Sequence, residues 1–242
     1  MIYDGGLMNP DPNTFCKDLY SEVRQYWNKQ ENVLPRTWKL KFGIFYSPVE
    51  YRSTLTLMII GANPGFDKDD DTNCPPLENL FYVWPPPGTR EKKYWRIVLA
   101  LRDLFQRADH PEILKDSVVT NLLFFKSTCL GKDKDKNRCK GWRDNPNAKA
   151  RREIEDYCRV KVKEIVSQLD PTRILVLGTG SCWDKLPAEQ VKVLSRKRKV
   201  RLAVMGTVFN KNALGIIHPT GARISAADRE RIAKHLGEFL RN

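Results

Sequence analysis

The sequence predicts an α/β fold: a three-layer αβα sandwich around a mainly parallel central sheet, in one domain spanning residues 1–242. Three observations carry this. Short apolar runs of strand length alternate with longer stretches whose apolar residues recur at helical spacing, the βαβ order that builds parallel sheets. At 41% hydrophobic and 10% aromatic over 242 residues the chain can bury a full core, which excludes a disordered or fibrous class. No internal repeat is evident, and no Gly-, Ser- or Pro-rich linker divides the chain.

The first element is a helix over 13–30, where Phe15, Leu19, Val23 and Trp27 fall at four-residue spacing and form one apolar stripe. Residues 54–60 are an apolar run closed by Gly61, the pattern of a strand buried on both faces. An acidic loop (67–71) and a Pro-rich turn (85–88) follow, and then a helix over 91–107 that turns Tyr94, Val98, Leu101 and Phe105 inward. A strand over 117–125, a helix over 148–169 with Ile154, Cys158, Val162, Ile165 and Leu169 on one face, and a strand over 173–177 continue the alternation. Strands over 200–205 and 214–217 lead to a last helix, with Ser225 as its N-cap, Asp228 in its first turn, and Ile232, Leu236, Phe239 and Leu240 as its stripe. Residues 1–50 read as an N-terminal helical extension. Residues 126–149, rich in charge and broken by Gly131, Gly141 and Pro146, read as a basic loop inserted between strand and helix.

Against 29 Asp+Glu stand 42 Lys+Arg, a formal charge of +13, and such a surplus attracts phosphate and releases counterions from nucleic acid. The cations are clustered: thirteen lie between Lys126 and Lys163, and a second run, Arg196-Lys197-Arg198-Lys199 with Arg201, stands just before a strand. That distribution favours a nucleic-acid face over a uniformly solvated surface. The six cysteines include no Cys-x-x-Cys pair and have only three histidines beside them, so reduced thiols and no metal cluster are expected. The longest apolar stretch, 55–62, falls far short of the roughly 20 residues of a membrane span, and Met1-Ile2-Tyr3-Asp4 lacks the basic and apolar regions of a secretory signal. The expectation is a cytoplasmic protein with no membrane partner and no cofactor, by default a monomer.

Gly61-Ala62-Asn63-Pro64-Gly65 follows directly on a buried strand; its glycines allow a sharp bend and hold Asn63 at the carboxyl edge of the sheet. Gly215-Ile216-Ile217-His218-Pro219-Thr220-Gly221-Ala222-Arg223 is another strand emerging into a turn, and a third strand ends near Thr120-Asn121. Ligands of such sheets bind beyond the carboxyl ends of the strands, so Asn63, Asn121 and His218 can converge on one small polar ligand.

In order and spacing these motifs resemble the uracil-DNA glycosylase superfamily, nearest its mismatch-specific and single-strand-selective branches. The Gly61–Gly65 stretch resembles the water-activating motif, with Asn63 where the fastest uracil glycosylases carry Asp. His218-Pro219-Thr220-Gly221-Ala222-Arg223 resembles the turn whose histidine contacts the pyrimidine O2 and whose following residues wedge into the duplex. Val119-Thr120-Asn121-Leu122 resembles the strand whose Asn reads the pyrimidine edge. Tyr94-Trp95-Arg96 and Leu177-Gly178-Thr179-Gly180 extend the likeness over about 55–240, leaving out the first 50 residues and the basic insertion.

The resemblance implies a uracil-DNA glycosylase-like fold and a monofunctional DNA glycosylase. Such an enzyme hydrolyses the N-glycosidic bond of uracil or a 5-modified pyrimidine flipped out of DNA, leaving an abasic site, in base-excision repair or against modified phage DNA. Breaking C1′–N1 leaves positive charge on the sugar and negative charge on the departing base. His218 would donate a hydrogen bond to O2, a role worth about 2.7–4 kcal/mol for one such donor. Asn63 would orient the attacking water through its carbonyl, with Asp67 as the rival water activator. Asn121, able to donate and accept, would read the N3/O4 or N3/N4 edge, and Phe81 or Tyr82 would stack on the base. Gly65 stands where the uracil-strict branch has a tyrosine, so the pocket should admit a 5-substituent. Arg223 is a candidate wedge or phosphate contact, while Lys132, Lys134, Lys136, Arg196 and Arg198 would bind backbone without reading sequence. No Lys or terminal amine stands among the motif residues, which argues against a Schiff-base intermediate.

Other readings compete. Asp67, Asp69, Asp71, Asn73 and Glu78 imitate a calcium loop, but Thr72 replaces its required Gly and Pro75-Pro76 interrupt it. A metal-dependent nuclease would use the same carboxylates, though it would normally draw them from several strand ends. A non-catalytic binder of modified or damaged DNA on the same fold would not depend on Asn63.

Overall fold

A computed structural model describes residues 12–31, 42–47, 55–63, 96–127, 141–144, 146–220 and 224–241. Its elements are α1 (Pro12–Glu31), β1 (Leu57–Gly61), α2 (Arg96–Arg107), α3 (Pro111–Lys115), β2 (Val118–Asn121), α4 (Ala148–Leu169), β3 (Arg173–Leu177), β4 (Ala188–Lys197), β5 (Val200–Val208), β6 (Lys211–Ile216) and α5 (Ala226–Arg241). The six strands form one sheet in the order β2-β1-β3-β6-β5-β4. The first four run parallel, and β5 and β4 turn antiparallel at one side.

Period-two alternation divides the apolar runs between two cores. Met58, Ile60, Ile174 and Val176 face α1 and α4, while Leu57, Ile59, Leu175 and Leu177 face α2 and α5. Helices therefore cover both faces of the sheet, and the continuous apolar reading of 54–60 follows from burial on both sides. The helix at 148–169 has the predicted bounds; Asn147 caps it by accepting from the Ala150 amide at 3.0 Å, and Asp170 closes it at φ +43. Ser225 and Asp228 cap α5 reciprocally: the Asp228 amide donates to Ser225 Oγ and the Ser225 amide to Asp228 Oδ2, each at 3.3 Å.

The structure corrects several boundaries. The strand placed at 117–125 ends at Asn121, because the chain then bends and the Leu122 and Leu123 amides donate to the carbonyls of Gly61 and Ala62. Phe125 instead makes an isolated bridge with Phe42. The run 196–199 does not merely precede a strand: Arg196 and Lys197 end β4, an unforeseen ten-residue strand, and Arg198 and Lys199 make its turn into β5.

The segment 126–149 is not exposed throughout: its first residues and Gly141-Trp142 are buried, whereas Arg143, Pro146 and Lys149 are exposed. Lys126 is 1% exposed, and Trp142 is fully buried with its indole N–H donating to Glu155 at 2.6 Å. The N-terminal helix belongs to the core on the α4 face, where it buries Cys16, Leu19, Val23 and Trp27 and stacks Tyr26 on Tyr157 at 3.6 Å. Burial draws Lys161 down, but its bonds to Glu164 and Glu22 hold its pKa above the ordinary value. Cys16, Cys158 and Cys182 are buried thiols outside any disulfide, and burial pushes Cys158 and Cys182 up to about 12, which makes them unreactive near neutrality. No helix among the described residues is long and apolar enough to cross a membrane.

Candidate functional site

Parallel register brings the carboxyl ends of β2, β1, β3 and β6 to one edge, and Asn121, Asn63 and His218 stand along it. Gly61 pairs with Asn121 across β1 and β2. A Cβ on Gly61 would lie 2.4 Å from Asn121 Oδ1, so the glycine is there to make room for the Asn121 side chain. The chain bends at Ala62 and Asn63, directly after Gly61, without a positive φ at the glycine itself, which among the described glycines only Gly178 has. Asn121 is 8% exposed, which places its amide in a largely dry environment beside the edge.

Asn63, two residues beyond β1, donates through Nδ2 to the carbonyl and the Oγ of Ser127, each at 2.9 Å. Its amide nitrogen is thereby committed to Ser127, and Oδ1 is the acceptor of the group. Sequence reasoning did not find Ser127, because its link to Asn63 spans 64 residues and leaves no local signal.

Between β1 and β6 the chain of β3 leaves the edge in a tight turn. Gly178 has φ +112; its carbonyl accepts from the Cys182 and Trp183 amides, and its own amide donates to Ile216 at 2.7 Å. Thr179 is held by donating Oγ1 to the Arg201 carbonyl at 2.7 Å, and Arg201 returns a bond to the Thr179 carbonyl and another to Asp184, both at 2.5 Å. This brace was not foreseen either. Two strand spacings, about 10 Å, then separate β1 from β6 and so Asn63 from His218 across the edge.

His218 is half-buried, and burial lowers its pKa below the ordinary 6.5. Its Nδ1 accepts from the Thr220 amide at 3.4 Å and lies 3.3 Å from Thr220 Oγ1. In the tautomer in which Nδ1 accepts this bond, the proton of the neutral ring is on Nε2. A cavity of about 220 Å3 lies beside this turn between α2 and α5, lined by apolar residues such as Ile216, Ile217 and Leu104 and also by Asp103, Arg107 and Arg229. A second of about 220 Å3, lined by Ala62, Leu122, Leu123, Glu155, Arg159, Asp184 and Lys185, lies on the α4 side of the β1 end.

Arg196 and Arg198 stand on the β4–β5 hairpin, further along the same edge beyond β6. The structure thus brings Asn63 and Asn121 into one corner, with His218 across β3 from them. Asp67, Gly65, Phe81, Tyr82, Arg223, Lys132, Lys134 and Lys136 lie outside the described residues. Compared with protein-family models and with curated proteins, the chain matches none.

Proposed function

We propose that the protein is a monofunctional DNA glycosylase of the uracil-DNA glycosylase type, hydrolysing the N-glycosidic bond of uracil or a 5-modified pyrimidine flipped out of DNA. The observation that carries this reading is the make-up of the edge: Asn63, whose Nδ2 is held by Ser127 so that it turns Oδ1 to a ligand as acceptor, and His218, whose Nδ1 accepts from Thr220 so that a neutral ring donates from Nε2, about two strand spacings apart, with a second buried amide at Asn121 beside the first. Base loss needs those two polarities at separate points, an acceptor to orient water toward the cationic sugar carbon and a donor to take the negative charge on the base. Asn63 Oδ1 accepts from the water, His218 Nε2–H donates to the pyrimidine O2, and Asn121 reads the base edge. Asn63 is no strong base, so the cleavage draws mainly on electrostatic stabilisation of the leaving group. The site serves base-excision repair or the removal of modified bases from foreign DNA.

Base release from single- and double-stranded oligonucleotides tests it, using uracil, thymine opposite guanine, 5-hydroxymethyluracil, and 5-hydroxymethylcytosine with and without a sugar. The expected result is an abasic site on at least one substrate, with His218→Ala slower by about 100- to 1,000-fold and Asn63→Ala also impaired. Borohydride should trap no covalent adduct. Tight DNA binding with no abasic site on any substrate, unchanged by Asn63→Ala, would replace this reading with that of a non-catalytic binder of modified DNA.

A further inference from the structure

The antiparallel side of the sheet carries a feature that the proposed chemistry does not use. Ala203 on β5 pairs with Ile216, the last residue of β6, so Val200 lies three residues beyond the end of β6. At about 3.3 Å per residue, the β4–β5 hairpin reaches roughly 10 Å past that strand, on the same edge as Asn63, Asn121 and His218. Its tip is dense in charge: five of the six residues 196–201 are Lys or Arg.

These five cations do different work. Lys197 bonds Asp228 at 2.5 Å, and Asp228 also accepts from Ser225 Oγ at 2.6 Å, which ties the tip to the start of α5. Arg201 is held by Thr179 and Asp184. Arg196, Arg198 and Lys199 are exposed and make no ion pair among the described residues. Two features of this trio disfavour folding. Arg196 sits directly opposite Arg201 in the ladder, a like-charge cross-strand pair. Arg198 occupies the first turn position at φ +52, a left-handed conformation that suits Gly or Asn better than Arg. Protection of an edge strand does not account for them, since that needs charge along β4, whereas 188–195 carries only one acidic and one basic residue, Glu189 and Lys192.

We propose that the β4–β5 hairpin is an arm that grips the phosphate backbone of DNA on the His218 side of the edge. Arg196, Arg198 and Lys199 make the contacts, and Lys197 and Arg201 hold the arm in place. The proposal rests on the DNA reading above and adds where the strand runs and which cations touch it.

The test measures affinity for an undamaged DNA duplex and for a single strand across a salt series, for the full chain and three variants. Each phosphate contact adds about 0.9 to the slope of log K against log salt on duplex and about 0.7 on a single strand. Arg198→Gly should lower the slope by about one contact's share while leaving Tm unchanged or raised, because glycine suits the turn. Arg196→Gln, Arg198→Gly and Lys199→Gln together should lower it by about three contacts' share, and Lys192→Gln should leave it unchanged. An unchanged slope in the triple variant, an equal drop in Lys192→Gln, or no DNA binding by the parent chain overturns the arm. Single-turnover base release at saturating protein separates the two claims. Release with an unchanged slope removes the arm and keeps the glycosylase, whereas a falling slope without release keeps the arm and removes the glycosylase.

Discussion

The two sides of the sheet are built from opposite materials. On the parallel side β1 and β2 are buried at every residue and β3 at all but its first, while on the antiparallel side β4 buries none of its ten residues fully. The parallel side ends in neutral groups, the amides of Asn63 and Asn121 and the imidazole of His218; the antiparallel side ends in exposed guanidinium and ammonium groups. A donor aimed at developing charge gains from a dry, rigid mount, because its field is unscreened and it needs no reorganisation. Cations that follow a phosphate backbone gain from exposure and reach, and salt weakens them. Position along one sheet edge thus sorts the groups suited to chemistry from those suited to attachment.

Removing matched side chains from the two sides would break this contrast if it is wrong, and the largest effect is expected here. Leu175, fully buried on the central strand β3, should lose about 2–5 kcal/mol of stability as Leu175→Ala. Val191, 46% exposed on β4, should change by no more than about 0.5 kcal/mol as Val191→Ser. Urea unfolding of both variants measures the difference, and similar losses would show that β4 is as much a part of the core as β3.

A smaller effect sharpens the account of the site itself. Gly61→Ala puts a methyl carbon 2.4 Å from Asn121 Oδ1, so either β1 or the Asn121 side chain must move, at about 1–3 kcal/mol for overpacking. Asn121→Ala in the same chain removes the obstacle. The two substitutions should therefore be less than additive in unfolding free energy, whereas base release should be impaired in both singles and not restored in the double. Additive losses would mean that Gly61 serves the backbone and not the Asn121 side chain.

The same contrast explains what could be read from the sequence. β1 and β3 were legible because burial on both faces leaves an uninterrupted apolar run, and α4 because a helical stripe marks it. β4 left no such run. Val191 is exposed, Val193 and Leu194 pack toward opposite faces, and register shifts at 189–192, 193–195 and 195–196 break the period of two. Asn63, Asn121 and His218 were legible as polar residues where strands run out, but the partners that orient them were not: Ser127 reaches Asn63 over 64 residues, and Arg201 braces Thr179 over 22. Gly61 was legible as the start of a bend, which follows at Ala62 and Asn63, but the crowding by the Asn121 side chain left no local signal. Trp142 was missed because a single aromatic in a charged stretch carries no periodicity, although it is fully buried.

The smallest expected effects are in acid, and they separate the two sides in sequence. Bonds from Lys197 and Ser225 lower the Asp228 carboxyl from the ordinary 3.8 to about 2, so its stabilising contribution is present above pH 3.8 and is lost as pH falls toward 2. His218 responds earlier. Its pKa is depressed by burial, so below pH 6.5 the unfolded chain takes up a proton that the native ring resists, and stability declines as pH falls from there to the native value. Protonating Nδ1 also removes the acceptor of the Thr220 amide, which makes that amide a reporter. In an NMR titration the Thr220 amide shift should move with a midpoint below 6.5, while the Val200 amide at the hairpin tip stays constant until the carboxylate range. Asp228→Asn should abolish the later transition and leave the earlier one untouched. A Thr220 midpoint at or above 6.5 would mean that the ring is cationic in mild acid. His218 would then stand in solvent like the hairpin cations, and the division between a dry mount and an exposed arm would fail at the residue that most depends on it.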